Sequence, residues 1–126
     1  MDLKNLNITE KAEEGSWCEL EHPVTGETLD IRIKLAGIDS KTYREAARKQ
    51  INKRLKKGLR KISVEDTEQE EIELLAACTL DWENVEYEGK ELECNPENVK
   101  FVYKEFPWIR EQVDAFIADR GNYLKN

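Results

Sequence analysis

Leu29, Ile31, Ile33 and Leu35 alternate with Asp30, Arg32 and Lys34. A period of two puts the four aliphatic side chains on one face of an extended strand and the three charged ones on the other. No helix can bury such a row, so the segment must lie in a sheet with one covered face. Ahead of it, Cys18 and Leu20 alternate more weakly with Glu19 and Glu21, and Pro23-Val24-Thr25-Gly26-Glu27 intervenes. Proline fixes φ and glycine admits φ > 0, which is turn chemistry. The spacing predicts a β-hairpin over residues 17–35.

Beyond Gly37-Ile38-Asp39-Ser40 the period changes. Asp39 or Ser40 can cap a helix, on which Tyr43, Ala47, Ile51, Leu55 and Leu59 recur every four residues as a slowly drifting apolar stripe. Gly58 is a candidate for its C-terminal cap. Ser63 or Thr67 opens the next helix, each followed three residues on by an acid (Asp66, Glu70) as in a capping box. Ile72, Leu75, Ala76 and Thr79 mark its inner face, with an end near Leu80. Val85, Tyr87 and Leu92 around Glu88-Gly89-Lys90 suggest a short hairpin or ordered loop. Asn95-Pro96 is a helix start, with Val99, Val102, Tyr103 and Phe106 facing inward. Pro107 begins a last helix carrying Ile109, Val113, Phe116 and Ile117, and Gly121 is placed to end it. Residues 1–15 read as a loosely held, flexible arm. The expected architecture is one α+β domain over 1–126, mainly α, with the N-terminal hairpin packed against about four helices in 40–126.

The charges are unevenly laid out. The 126 residues carry a net charge of −7. Lys41 to Lys61 holds ten basic residues and one acidic residue, a local +9, whereas Glu65 to Glu97 holds thirteen acidic residues and one basic residue, a local −12. Either the two segments face each other, or each meets a partner of opposite sign. A basic helix can bind nucleic acid, but an acidic molecule repels a polyanion except close to that face. A positive and a negative face on one molecule also suit head-to-tail contact between copies.

Reactive chemistry is hard to assemble from these residues. His22 is the one imidazole, and it precedes Pro23 in a turn, where a solvated histidine is the ordinary case. Cys18, Cys78 and Cys94 are widely spaced and do not form a metal-ligand pattern, which leaves packed, reduced thiols. The six glycines are dispersed and cradle no phosphate. The expectation is a protein without catalytic residues, cofactor or metal. No run approaches the roughly 18 apolar residues of a membrane span, and the first residues lack a secretory pattern, so the cytoplasm is the expected compartment.

Trp82-Glu83-Asn84-Val85, Glu88-Gly89-Lys90-Glu91-Leu92, Asn95-Pro96-Glu97-Asn98-Val99, Pro107-Trp108-Ile109-Arg110-Glu111-Gln112-Val113 and Phe116 to Tyr123 form a succession that resembles the tail assembly chaperones of long-tailed bacteriophages. His22 to Glu27 and Asp39-Ser40 through Tyr43-Arg44 are similar to the N-terminal part of such proteins. The resemblance implies a small, α-rich, self-associating factor of the infected cell. It implies that the factor stabilises the tape measure protein, helps recruit tail tube protein, and is absent from the finished virion. The candidate protein-contact residues are Arg44, Arg48 and Lys53 on the basic helix, Trp82 and Trp108 beside helix boundaries, and Tyr123. For the two tryptophans, packing in the core is the competing reading. Two other functions stay open: a head–tail completion protein that remains in the particle, and a nucleic-acid module built on the basic helix.

Overall fold

A computed structural model describes residues 1–57 and 62–124. The alternating row becomes β2 (Thr28–Leu35), paired antiparallel with β1 (Ser16–Glu21). Cys18, Leu20, Ile33 and Leu35 are buried, and Leu29 and Ile31 pack against the same core from its margin. His22 belongs to the turn: its Nδ1 accepts hydrogen bonds from the backbone N–H of Val24 (3.1 Å) and Thr25 (3.2 Å), and Gly26 supplies φ = 75°. At the end of β1, the side-chain amide of Gln112 accepts from the Glu21 N–H (2.8 Å) and donates to the Glu21 carbonyl (2.9 Å).

The helices follow with their caps. Ser40, not Asp39, caps α2 (Lys41–Lys57): its buried hydroxyl donates to the Gly37 carbonyl (2.6 Å) and accepts from the Tyr43 N–H (3.0 Å). Asp39 instead receives both nitrogens of the Arg120 fork (2.7 and 3.0 Å). Ser63, not Thr67, caps α3 (Val64–Ala77) and forms the reciprocal box with Asp66. Asn95 caps α4 (Pro96–Glu105), and α5 (Pro107–Ala118) starts on its own proline. The fold is α+β and mainly helical, with the hairpin sheet on one side of the core and α3, α4 and α5 closing the other.

Three expectations change. The helix expected to run to about Leu80 stops at Ala77, and Thr79–Glu83 forms β3, which pairs antiparallel with β2 and makes β2 the central strand of three. Tertiary pairing decides this segment, whose own β preference rests on little more than Thr79 and Trp82. Thr79 secures the switch: its hydroxyl reaches the Leu75 carbonyl (2.8 Å) and the Tyr103 hydroxyl (2.7 Å). The short hairpin is β4 (Glu86–Tyr87) with β5 (Lys90–Glu91); its turn residues Glu88 and Gly89 have φ of 51° and 78°, the backbone twist that suits a two-residue hairpin loop.

The arm is not loose beyond Ile8. Thr9–Glu14 is a helix, α1, whose Ala12 is buried, while Leu3 and Leu6 remain exposed. Glu13 takes the Thr42 hydroxyl (2.6 Å) and N–H (3.1 Å), and the Ala12 carbonyl takes the Gly37 N–H (3.0 Å). Gly37 makes this docking possible: a Cβ there would stand 3.0 Å from both the Ala12 Cβ and the Tyr123 ring. Finally, Gly121 does not terminate α5. Asp119 does, accepting from the Gly121 N–H (2.9 Å) to open a single 3-10 turn. The cap proposed at Gly58 and the stripe member Leu59 lie outside the described residues.

Candidate protein-interaction surface

The surface begins with the arithmetic of α2. A step of four residues turns an α-helix about 40° past a full revolution, so a row of every-fourth residues rotates about 120° from Tyr43 to Leu55. A straight helix cannot keep such a row on a fixed core. Tyr43 packs against the core and Ala47 is half-buried, but Ile51 is 58% exposed and Leu55 75% exposed. No residue of α2 is fully buried. The inner stripe expected from the sequence is therefore a core contact at its start and a solvent-facing row at its end.

The rim of that row is cationic. Arg44, Arg48 and Leu55 fall on one side of the helix together with Ile51, and Arg44 and Arg48 are exposed. Arg44 donates to the Asp39 carbonyl (3.3 Å). On the opposite side α2 leans on α3: Gln50 donates to the Glu70 carbonyl, and Arg54 grips the Glu70 carboxylate with Nε at 3.0 Å and with Nη2. That bidentate guanidinium holds the Glu70 carboxyl below its ordinary pKa. Among the described residues Arg54 is the one cation of residues 41–57 with a carboxylate within 4.0 Å. Among the described residues the basic and acidic stretches thus meet in one ion pair, and most of the charged side chains of α2 face outward.

Lys53 points elsewhere. It lines a groove of about 350 Å³ between α2, α3 and α4, with Lys49 and Lys100 beside it and Glu45 and Glu73 among them. Of the aromatic candidates, Trp82 is buried, its indole N–H donating to the Leu92 carbonyl (2.8 Å), and Trp108 is half-buried against the core. Tyr123 is also buried, edge-on to Phe116 at 5.8 Å. Trp82 and Tyr123 are therefore packing residues, out of a partner's reach while the fold is intact. The cationic candidates left on the surface are Arg44 and Arg48 on the outer face of α2, where the structure adds Ile51 and Leu55, and Lys53 in the groove on the other side.

A second patch had no signal in the sequence beyond its aromatic residues. Tyr87, at the β4–β5 turn, meets Phe101 edge-on at 5.1 Å and Phe106 at 6.2 Å. Tyr87 and Phe101 are 37% and 36% exposed.

Burial pushes the Cys18 thiol up to about 11 and the Cys78 thiol up to about 12, and raises half-buried Cys94 to about 11. Among the described residues no three His, Cys, Asp or Glu side chains are grouped to hold a metal ion, and no helix is long and apolar enough to cross a membrane. Comparison with protein-family models, with curated proteins and with solved structures returns no match for this chain.

Proposed function

We propose that the chain is a tail assembly chaperone of a long-tailed bacteriophage: it binds and stabilises the tape measure protein and helps recruit tail tube subunits. The observation that carries the reading is the exposed Ile51–Leu55 row on α2 with Arg44 and Arg48 at its edge. Single exposed aliphatic residues are common on any protein surface. A row of them at helical spacing on an otherwise cationic helix is a contact surface suited to the apolar face of another helix. The identity of the partner comes from the resemblance; the surface supports protein binding by α2.

Co-expression tests it. The chain is expected to keep the tape measure protein in the soluble fraction and to be recovered with it in a pull-down, while mass spectrometry of purified particles finds the chain absent. No association in such cells would overturn the proposal. Recovery of the chain from finished particles would assign it to head–tail completion instead. Duplex DNA binding that weakens steeply with salt, without any effect on the tape measure protein, would assign α2 to nucleic acid.

A further inference from the structure

The face of α2 turned away from Ile51 and Leu55 borders the groove of about 350 Å³. Ala46, Lys49 and Lys53 line it from α2, Glu73 and Ala77 from α3, and Lys100 from α4. Ala46 and Ala77 contribute only methyl groups to the walls, which leaves the space open. Lys49 and Lys53 stand four residues apart, a spacing at which like charges on one helix face repel. Lys100 brings a third ammonium group from another wall. Among the described residues none of the three has a carboxylate within 4.0 Å, although Glu45 and Glu73 line the same groove.

An anion seated between these ammonium groups relieves their repulsion. The two carboxylates restrict which anion fits. A continuous polyanion laid along α2 would be pressed against Glu45 near one end of the groove and Glu73 on the facing wall. A compact anion avoids both. The donor inventory sorts the ligand further: ammonium groups only donate and carboxylates only accept, so the first suit phosphate oxygens and the second suit hydroxyl groups. We propose that the groove binds the phosphate group of a small hydroxylated molecule, of the size of a sugar phosphate or a nucleoside monophosphate. Lys49, Lys53 and Lys100 donate to the phosphate, and Glu45 and Glu73 accept from the hydroxyl groups. The volume lies at the small end of the roughly 300–1,000 Å³ of ligand pockets. Three exposed lysines must be ordered on binding, so the expected Kd is weak, about 1 mM or somewhat below. The site is on the other side of α2 from the protein contact proposed above and goes beyond the chaperone reading.

Titration of the full chain followed by backbone amide NMR is the test, with glucose 6-phosphate, inorganic phosphate and glucose as probes. Both phosphates are expected to shift the amides of Lys49, Lys53 and Lys100 to saturation, the sugar phosphate at the lower concentration, while glucose shifts none. Lys53→Gln/Lys100→Gln should weaken the sugar phosphate by about tenfold or more, and should unfold in urea no more easily than wild type because it removes like charges. Ala46→Leu fills the groove with every charge in place and is expected to give a similar loss. Glu73→Gln should tighten inorganic phosphate and narrow the advantage of the sugar phosphate. The proposal is overturned if neither phosphate gives a saturable shift below about 10 mM, or if binding survives the lysine substitutions or the filled groove. Equal affinity for inorganic phosphate and glucose 6-phosphate would overturn the part given to the carboxylates. A short DNA duplex that shifts the same amides at lower concentration than the sugar phosphate would give these lysines to nucleic acid, and that too overturns it. The groove variants leave Ile51 and Leu55 untouched and should still hold the tape measure protein in solution, so failure of this inference and failure of the chaperone reading are read separately.

Discussion

Replacing Ile51 and Leu55 together by serine separates a contact surface from a core. Full burial of an isoleucine or leucine side chain is worth about 1.5–3 kcal/mol. With 58% and 75% of these residues still open to solvent, covering both by a partner would contribute about 2–4 kcal/mol in total, which is roughly 30- to 700-fold in affinity. The share already covered in the monomer is worth about 1–2 kcal/mol by the same measure, so the double variant should lose no more than that in unfolding free energy. Leu75 and Ile72, each 1% exposed on α3, set the contrast, since either changed to alanine should cost about 2–5 kcal/mol. Two measurements suffice: urea unfolding of the isolated chain, and titration of the immobilised tape measure protein with each variant. A double variant that loses more than about 2 kcal/mol of stability would show that the row is packed. One that binds as tightly as wild type would show that the partner sits elsewhere. Either result refutes the reasoning.

The docking of α1 should respond sharply to Gly37→Ala, because the new methyl group meets Ala12 and Tyr123 at 3.0 Å; a loss of about 1–3 kcal/mol in urea unfolding is expected, partly restored by Ala12→Gly in the same chain. Asp39 is held below its ordinary carboxylate pKa by its hydrogen bonds to Arg120. A depressed folded pKa gives stability that is present above the unfolded value, near 4, and lost as pH falls through the folded one. The difference in unfolding free energy between wild type and Arg120→Met should therefore be small at neutral pH, because the Arg120 side chain is largely in solvent, and shrink further below about pH 4. The thiols should follow burial: with an aromatic disulfide reagent at about pH 8, Cys94 is expected to react first and Cys18 and Cys78 only as the chain unfolds.

Local patterns were legible where one element owned its own chemistry. The alternation from Leu29 to Leu35, the Asn95-Pro96 start and the Glu88-Gly89 turn each specify a backbone state from neighbouring residues, and each appears in the structure. Tertiary decisions were hidden. β3 exists because β2 offers it a ladder, and α1 is ordered because Gly37 leaves room for Ala12. Burial of Tyr123 depends on the same small corner, which no pattern near Tyr123 announces. For the candidate surface, the every-fourth spacing of Tyr43, Ala47, Ile51 and Leu55 was visible, but a period of four does not say where the core stops. Only the position of α3 and α5 shows that the row has turned away by Ile51. The Tyr87–Phe101 patch joins residues from a hairpin and a helix, and no single stretch of sequence contains it.

The amide of Gln112 on the end of β1 has a use that reaches past packing. The outermost strand of an open sheet exposes main-chain groups that an unfolded segment of another protein can zip onto. By taking both the N–H and the carbonyl of Glu21, Gln112 fills the place where such a zipper would begin. A helix thus lends one side chain to impersonate the missing neighbour at the end of the edge strand.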